Sequence, residues 1–264
     1  MPEPPRLLAL VDGGRRAVFR YLPHDAAAFG VPCYGFAEAV PEERAAGLAE
    51  AGTGPAFFSM KVASPDLPGW REFLARRGFA FVDTELVLSG RLDPALGAAP
   101  AAGVEYSRDP GLARRLCPEL FADLPSRFHM DPRIGRDRAG AFWHRYLLDM
   151  LEKDTGWAVF PLLRGRPVGV CLFVGQAARL VIQLVALEPG SRGRGIAAGI
   201  LAHAASATGL REAGTEVYAA GGRSLNWYLK NGLTRVEAVS HVFHRWTGAA
   251  AAGENVRPAP PEGA

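Results

Sequence analysis

The stretch from residue 184 to 201, LVALEPGSRGRGIAAGIL, constrains this chain more than any other. An apolar strand pattern is ended by Pro189 and Gly190, and the turn that follows opens an apolar helix pattern. Within the turn, Arg192, Gly193, Arg194, Gly195, Ile196 and Ala197 read R-G-R-G-I-A, so absent or small side chains leave backbone N–H groups approachable. A helix N-terminus carries unpaired N–H donors and the positive end of its dipole, and a pyrophosphate fits there. Taken alone, a glycine pair at this place also describes an ordinary tight strand-to-helix connection.

The flanking residues add weight. The run Gln183, Leu184, Val185, Ala186, Leu187 precedes the turn, and Tyr228-Leu229-Lys230-Asn231-Gly232-Leu233 follows it at a distance. Arg192, Gly195 and Ala197 match R/Q-x-x-G-x-G/A, and the Tyr228 segment is close to Y-x-x-x-G-F; in this order the chain resembles the GNAT superfamily of N-acyltransferases. The resemblance implies an α/β fold with a mixed, mostly antiparallel central sheet flanked by helices, preceded by a smaller α/β GNAT-like half. It also implies acetyl-CoA as co-substrate.

Composition bounds the rest. With 264 residues and 48% hydrophobic content the chain can bury a real core. The net charge is only +3, so no nucleic-acid partner is expected, and the basic residues include just three Lys. Cys33, Cys117 and Cys171 are widely spaced without a CxxC, which suggests neither a disulfide framework nor a zinc site, and no metal is expected. The absence of a leader pattern and of an apolar run of about 18 residues points to a cytoplasmic protein with no membrane partner.

Along the chain, residues 1–93 read as strands and helices of a small α/β unit, with strands near 6–11, 17–22, 34–40, 56–62 and 79–88 and helices near 43–51 and 68–77. Residues 94–103 read as a linker rich in Ala, Pro and Gly, residues 104–247 as the catalytic domain, and residues 248–264 as a disordered tail. In the second domain the pattern predicts helices over 110–121 and 139–153, three strands between 157 and 187, and a helix from 196 to 213. A strand over 216–220, a helix over 224–231 and a closing strand over 238–246 follow. The first half lacks an R-x-x-G-x-G/A turn and is expected to bind no CoA.

Three further segments are similar to the two-domain group that includes dTDP-fucosamine N-acetyltransferase. They are Tyr21 to Pro32, Leu74 to Thr84, and Ser126-Arg127-Phe128-His129-Met130-Asp131-Pro132. The resemblance implies an amino sugar, nucleotide-linked, as the small-molecule acceptor; a homodimer is left open.

The superfamily resemblance also implies site roles. Val185 and Leu187 pair through their backbones with the pantetheine arm, the strand carrying a bulge that splays it from its parallel neighbour. Arg192, Gly193, Arg194, Gly195, Ile196 and Ala197 hold the pyrophosphate. Tyr228 protonates the departing thiolate, a task suited to a phenol that stays neutral near pH 7, although a tyrosine there also packs a helix on a sheet. The family's Asn seven residues before this Tyr is Gly221 here, so Asn226 is the residue expected to take over its CoA contacts, unless they are absent. Arg127, Phe128 and Asp131 stand where the acceptor wall is expected, with Gln183 orienting the amine or a water. Asp131 and Pro132 equally suit the start of a helix. His129, His144, Asp131 and Glu188 are the base candidates, but an amine that loses its proton to water through hydrogen bonds needs none, and that is the expectation. Two other readings stay open: acyl transfer from a carrier protein or an aminoacyl-tRNA, and a catalytically silent ligand-binding domain.

Overall fold

The computed structural model describes residues 4–12, 15–40, 48–50, 54–92, 103–176 and 178–248. In chain order its first elements are β1 (Leu7–Asp12), β2 (Arg15–Tyr21), α1 (Pro23–Phe29), β3 (Cys33–Ala39), β4 (Ala49–Glu50), β5 (Ala56–Ala63), α2 (Leu67–Arg76) and β6 (Ala80–Arg91). Then come β7 (Val104–Ser107), α3 (Arg127–Met130), α4 (Arg136–Glu152), β8 (Trp157–Leu163), β9 (Arg166–Pro167), β10 (Gly169–Gln176) and β11 (Arg179–Leu187). The last are α5 (Ile196–Thr208), β12 (Glu212–Tyr218), α6 (Gly222–Lys230) and β13 (Arg235–Thr247). The chain divides into two compact units, the first drawn from Met1–Thr84, Met130–Ile134 and Ser240–Ala264, the second from Glu85–His129 and Gly135–Val239. The segment read as a linker lies outside the described residues apart from Gly103, and the tail apart from Gly248.

In the first unit the strands run β4-β1-β2-β3-β5-β13, with β13 joining through Ser240 to Thr247 opposite Ala63 to Ala56. Its core is aromatic: Phe19, Phe58, Met60, Trp70, Phe73 and Phe79 are buried together, with Phe19 edge-on to Phe58 at 5.4 Å. Helix α1 was not anticipated from the sequence; Pro23 stands in its first turn, and Gly30, at φ 73°, closes it in the left-handed region that suits glycine. The helix expected over 43–51 falls mostly outside the described residues, and Ala49–Glu50 is a two-residue strand.

In the second unit the order is β6-β12-β11-β10-β8-β7, antiparallel except for the parallel pair β11 and β12. This is the mixed, mostly antiparallel sheet flanked by helices that was expected. One expected helix is corrected: residues 110–121 form two short 3-10 segments, Pro110–Arg115 and Pro118–Phe121. Pro118 forces the preceding Cys117 to ψ 150°, an extended conformation that no continuous helix tolerates.

Two layers of side chains cover this sheet. Ile196, Ile200, Leu201, Ala204 and Ala205 of α5 pack with Leu180, Ile182 and Leu187 in one core. Leu147 of α4 packs with Phe121, Phe160, Leu184 and Ala186 in another. Strand β11 supplies both cores because its register shifts: Leu184 pairs with Leu172 while Ile182 pairs with Phe173, which leaves Gln183 as an extra, bulged residue. Before the bulge the even positions serve the α5 core; after it, Val185 and Leu187 do, and Leu184 and Ala186 turn to α4. Among the described residues no helix is long and apolar enough to cross a membrane.

Candidate active site

The bulge also ends a pairing. Strands β11 and β12 are joined only from Leu180–Ala213 to Ile182–Thr215, and past Gln183 they splay. Into the gap opens a crevice of about 120 Å³, lined by Pro125, Ser126, Trp143, Gln183, Glu216 and Tyr228 among others. A larger cleft of about 700 Å³ lies at the phosphate turn, lined by Val185, Leu187, Arg192, Gly193, Gly195, Ile196, Ala197, Arg223, Lys230 and Asn231. Val185, Ser224 and Tyr228 line both spaces, so the two meet at these residues.

The turn owes its shape to its glycines. Gly193 and Gly195 both have φ 75°, a conformation that costs any other residue strain, and Gly195 caps the N-terminus of α5. Arg192 is pinned by its Nε, which donates to the Leu187 carbonyl at 2.9 Å. Burial and the nearby Arg223 guanidinium both push the Arg192 pKa down. Two like charges brought this close, beside helix-end N–H donors, are an arrangement that an anion relieves. The donor set of the cleft therefore fits a pyrophosphate, with Lys230 as a third cation on its wall. Ile196 is a core residue 1% exposed and contributes its backbone, whereas Ala197 is partly exposed on the cleft. Arg194 lies apart: it is exposed and lines a separate depression with Arg164 and Arg166.

Tyr228 is 6% exposed and belongs to the α5 core as well as to both clefts. Burial holds its phenol above the ordinary range, with a Thr215 hydrogen bond acting weakly the other way and Cys171 adding to the rise. The phenol is thus protonated at neutral pH. Gly221, which stands in place of the family's Asn, has no room for a side chain: a Cβ there would lie 2.8 Å from Pro125. Asn226 is exposed and lines neither space, while Asn231 lines the larger one.

The acceptor-side expectations fare unevenly. Gln183 lines the crevice and accepts a hydrogen bond from Tyr146 Oη at 3.4 Å. Arg127 is half-buried; its guanidinium lies 4.6 Å from the Phe128 ring and acts on the Tyr218 phenol. Phe128 is a correction: it is 1% exposed and packs edge-on against Phe142 at 4.5 Å, a core anchor rather than a wall. Asp131 is another. Its Oδ2 accepts from His244 Nδ1 and Trp246 Nε1, both at 2.9 Å, and its Oδ1 from the Arg133 N–H at 3.0 Å. Burial raises the Asp131 pKa, but these hydrogen bonds overcome it and the carboxyl is held below its usual range. It does not cap α4 either, which starts after Gly135.

The base candidates are engaged elsewhere. Glu188 is paired with Arg166, which holds its pKa down, and His144 faces the Ala113 carbonyl at 3.4 Å while stacking on Phe121. His129 Nδ1 lies 2.7 Å from Ser126 Oγ. Glu216, which sequence reasoning missed, puts a carboxylate on the crevice wall and raises the phenol pKa values of Tyr146 and Tyr218, in each case after burial as the larger cause. Its only sequence signal is an acidic residue between Thr215 and Val217 on an otherwise apolar strand end. Among the described residues no group of three His, Cys, Asp or Glu side chains is placed to hold a metal ion.

No family model matches this chain, and no curated protein matches it in sequence. Solved structures do. A GCN5-related N-acetyltransferase from Sphaerobacter thermophilus is similar over 88% of this chain and 76% of its own, with TM-score 0.54 at 16% identity. A functionally unknown conserved protein from Staphylococcus epidermidis ATCC 12228 is similar over 91% and 94%, with TM-score 0.58 at 10% identity. A tandem GNAT protein from the clavulanic acid biosynthesis pathway is similar over 93% and 85%, with TM-score 0.51 at 13% identity. At these identities the likeness is one of fold, and the fold of this chain is that of the GCN5-related N-acetyltransferases.

Proposed function

We propose that the chain is an acetyl-CoA-dependent N-acetyltransferase that moves an acetyl group to the amine of a small acceptor, by direct attack in a ternary complex. The observation that carries this reading is the meeting of two spaces at Val185, Ser224 and Tyr228: a cationic cleft at a helix N-terminus, and a crevice at the splay of β11 and β12. Acyl transfer needs a donor and an amine brought together at one point, and holding them there supplies much of the rate.

In this reading the backbone N–H groups of Gly193, Gly195, Ile196 and Ala197, with Arg192 and Arg223, hold the pyrophosphate. The pantetheine arm lies along β11 at Val185 and Leu187, where β12 has diverged. The amine nitrogen, neutral after losing a proton to water, attacks the thioester carbonyl. The C–N bond forms, the C–S bond breaks, the leaving sulfur takes the Tyr228 phenolic proton, and the nitrogen gives up its extra proton to water, from which the Tyr228 phenolate recovers one. The acceptor class we favour is an amino sugar, nucleotide-linked, on the resemblance of the segments Tyr21 to Pro32, Leu74 to Thr84 and Ser126 to Pro132.

The test is release of free CoA thiol from acetyl-CoA across a panel of aminodeoxy sugars, with and without a nucleotide, beside calorimetry of CoA binding. Thiol release with one of them supports the reading. Firm CoA binding with silence across the panel would move the acceptor to another amine class, and no CoA binding would remove the reading.

A further inference from the structure

A further depression lies beside the donor turn, and nothing in the acyltransfer reading uses it. Its volume is about 620 Å³, and Gly103, Leu163, Arg164, Arg166 and Arg194 line it. Two arginines of one turn thus serve different spaces, Arg192 the donor cleft and Arg194 this depression, with Gly193 at φ 75° between them. Arg166 is neutralised: its two terminal nitrogens donate to the two carboxylate oxygens of Glu188, Nη2 at 2.8 Å. Arg164 and Arg194 are exposed, and among the described residues neither meets a carboxylate. Arg115 adds a fourth guanidinium, whose Nη2 donates to the Gly165 carbonyl at 3.3 Å. The depression therefore carries more cations than its one carboxylate cancels.

The backbone at Arg164 separates this group from an ordinary scatter of surface arginines. Leu163 pairs with Arg166, so Arg164 and Gly165 are the two loop residues of the hairpin between β8 and β9. Their φ angles are 52° and 71°, both left-handed. A loop of this kind favours Asn-Gly or Asp-Gly, because most residues with a Cβ are strained there. Among the described residues the one other non-glycine at positive φ is Asp154, a residue type that tolerates it. An arginine in the first loop position holds strain that the fold does not require, and such strain collects where side chains meet ligands. Two guanidinium groups without a carboxylate, beside a pyrophosphate cleft, call for a second anion, and a doubly charged phosphomonoester matches two guanidinium forks. CoA carries one, its 3′-phosphate, joined to the pyrophosphate through a single ribose. Arg192 and Arg194 stand two residues apart, a span of ~7 Å, which one ribose bridges.

We propose that the depression of Arg164, Arg166 and Arg194 is a phosphomonoester site, which takes the 3′-phosphate of the donor whose pyrophosphate lies in the cleft. This rests on the acyltransfer reading above and narrows its donor to a CoA thioester with the 3′-phosphate in place. A dephospho-CoA thioester, or a phosphopantetheine arm on a carrier protein, brings no phosphomonoester to fill the depression. Arg164 and Arg194 bind the donor and touch no reacting atom, so they set its affinity and leave the acyl transfer step alone. Arg166 stays with Glu188 and shapes the wall.

The experiment is calorimetry of CoA and of dephospho-CoA, which lacks only the 3′-phosphate, on wild type, Arg194→Ala, Arg164→Gly and Arg114→Ala. Arg114 is exposed, paired with Glu152 and outside the depression, so its variant controls for the loss of a surface charge. Arg164→Gly removes the charge and the backbone strain together, so this variant should melt no lower than wild type. Wild type is expected to bind CoA about tenfold more tightly than dephospho-CoA, the scale of a charge-assisted contact. Arg194→Ala and Arg164→Gly should each weaken CoA severalfold while the affinity for dephospho-CoA holds, and Arg114→Ala should behave as wild type. Equal affinity of wild type for the two nucleotides, or variants that weaken both alike, overturns the proposal and leaves the acyltransfer reading standing. Binding of neither nucleotide removes the acyltransfer reading itself, and the proposal with it.

Discussion

Arg192 Nε donates to the Leu187 carbonyl across 2.9 Å, tying the phosphate turn to the end of the strand that leads into it. One donor of the guanidinium fork is thereby fixed, and the others are aimed by that bond rather than free to wander. The double variant Arg192→Glu with Gly195→Asp reverses the charge at the turn and places a carboxylate at a φ of 75°. CoA binding by calorimetry should disappear, and an unchanged affinity would show that the cleft is not the donor site.

Arg223 presses on the Arg192 guanidinium from the first turn of α6. Removing this charge with Arg223→Ala should weaken CoA binding about tenfold and make it less sensitive to salt, because one screened phosphate contact is gone. Calorimetry at two ionic strengths measures both effects. Equal affinity and an equal salt response would take Arg223 out of the site.

The Tyr228 hydroxyl is expected to matter to chemistry more than to binding. Tyr228→Phe keeps the ring in its core and removes only the proton, so kcat should fall by about 10² with CoA affinity nearly unchanged. A variant that turns over at the normal rate would leave Tyr228 as a packing residue.

Asp131 organises the first unit through His244, Trp246 and the Arg133 N–H. Asp131→Asn replaces one acceptor by a donor that faces donors, and should cost about 2 kcal/mol in urea denaturation. The wild-type carboxyl has its folded pKa below the unfolded value of 3.8, so its contribution is fully present above that value and is lost as pH falls through the folded one. The variant should lack this component of the acid transition, and matching acid limbs in the two proteins would contradict it.

The phosphate turn was legible because its backbone geometry is written in residue type. Two glycines at positive φ, a proline that stops the strand and an arginine at the mouth are each demanded by backbone geometry or charge. The crevice was not, because it depends on pairing. Ser126 is one serine among several until His129 and Trp143 close on it, and Glu216 gains meaning only where β11 has moved away from β12. Phe128 and Asp131 misled for a related reason: a polar run suggested a ligand wall, whereas Phe142 and His244 had already claimed those two side chains. The helix expected over 110–121 failed on Pro118, whose effect on the residue before it is local and was readable.

The bulge at Gln183 acts on β11 as an inserted letter acts on a reading frame. Upstream and downstream of it the same alternation is read in opposite phase, so Leu180 and Ile182 share a core with Val185 and Leu187 although they differ in parity. Substituting Gln183 leaves that frame intact, and the strand should tolerate it. Deleting Gln183 would restore a single phase, turn Val185 and Leu187 toward α4, and send Leu184 and Ala186 to the α5 side. The most informative change at this position is therefore the loss of the residue, whatever its side chain.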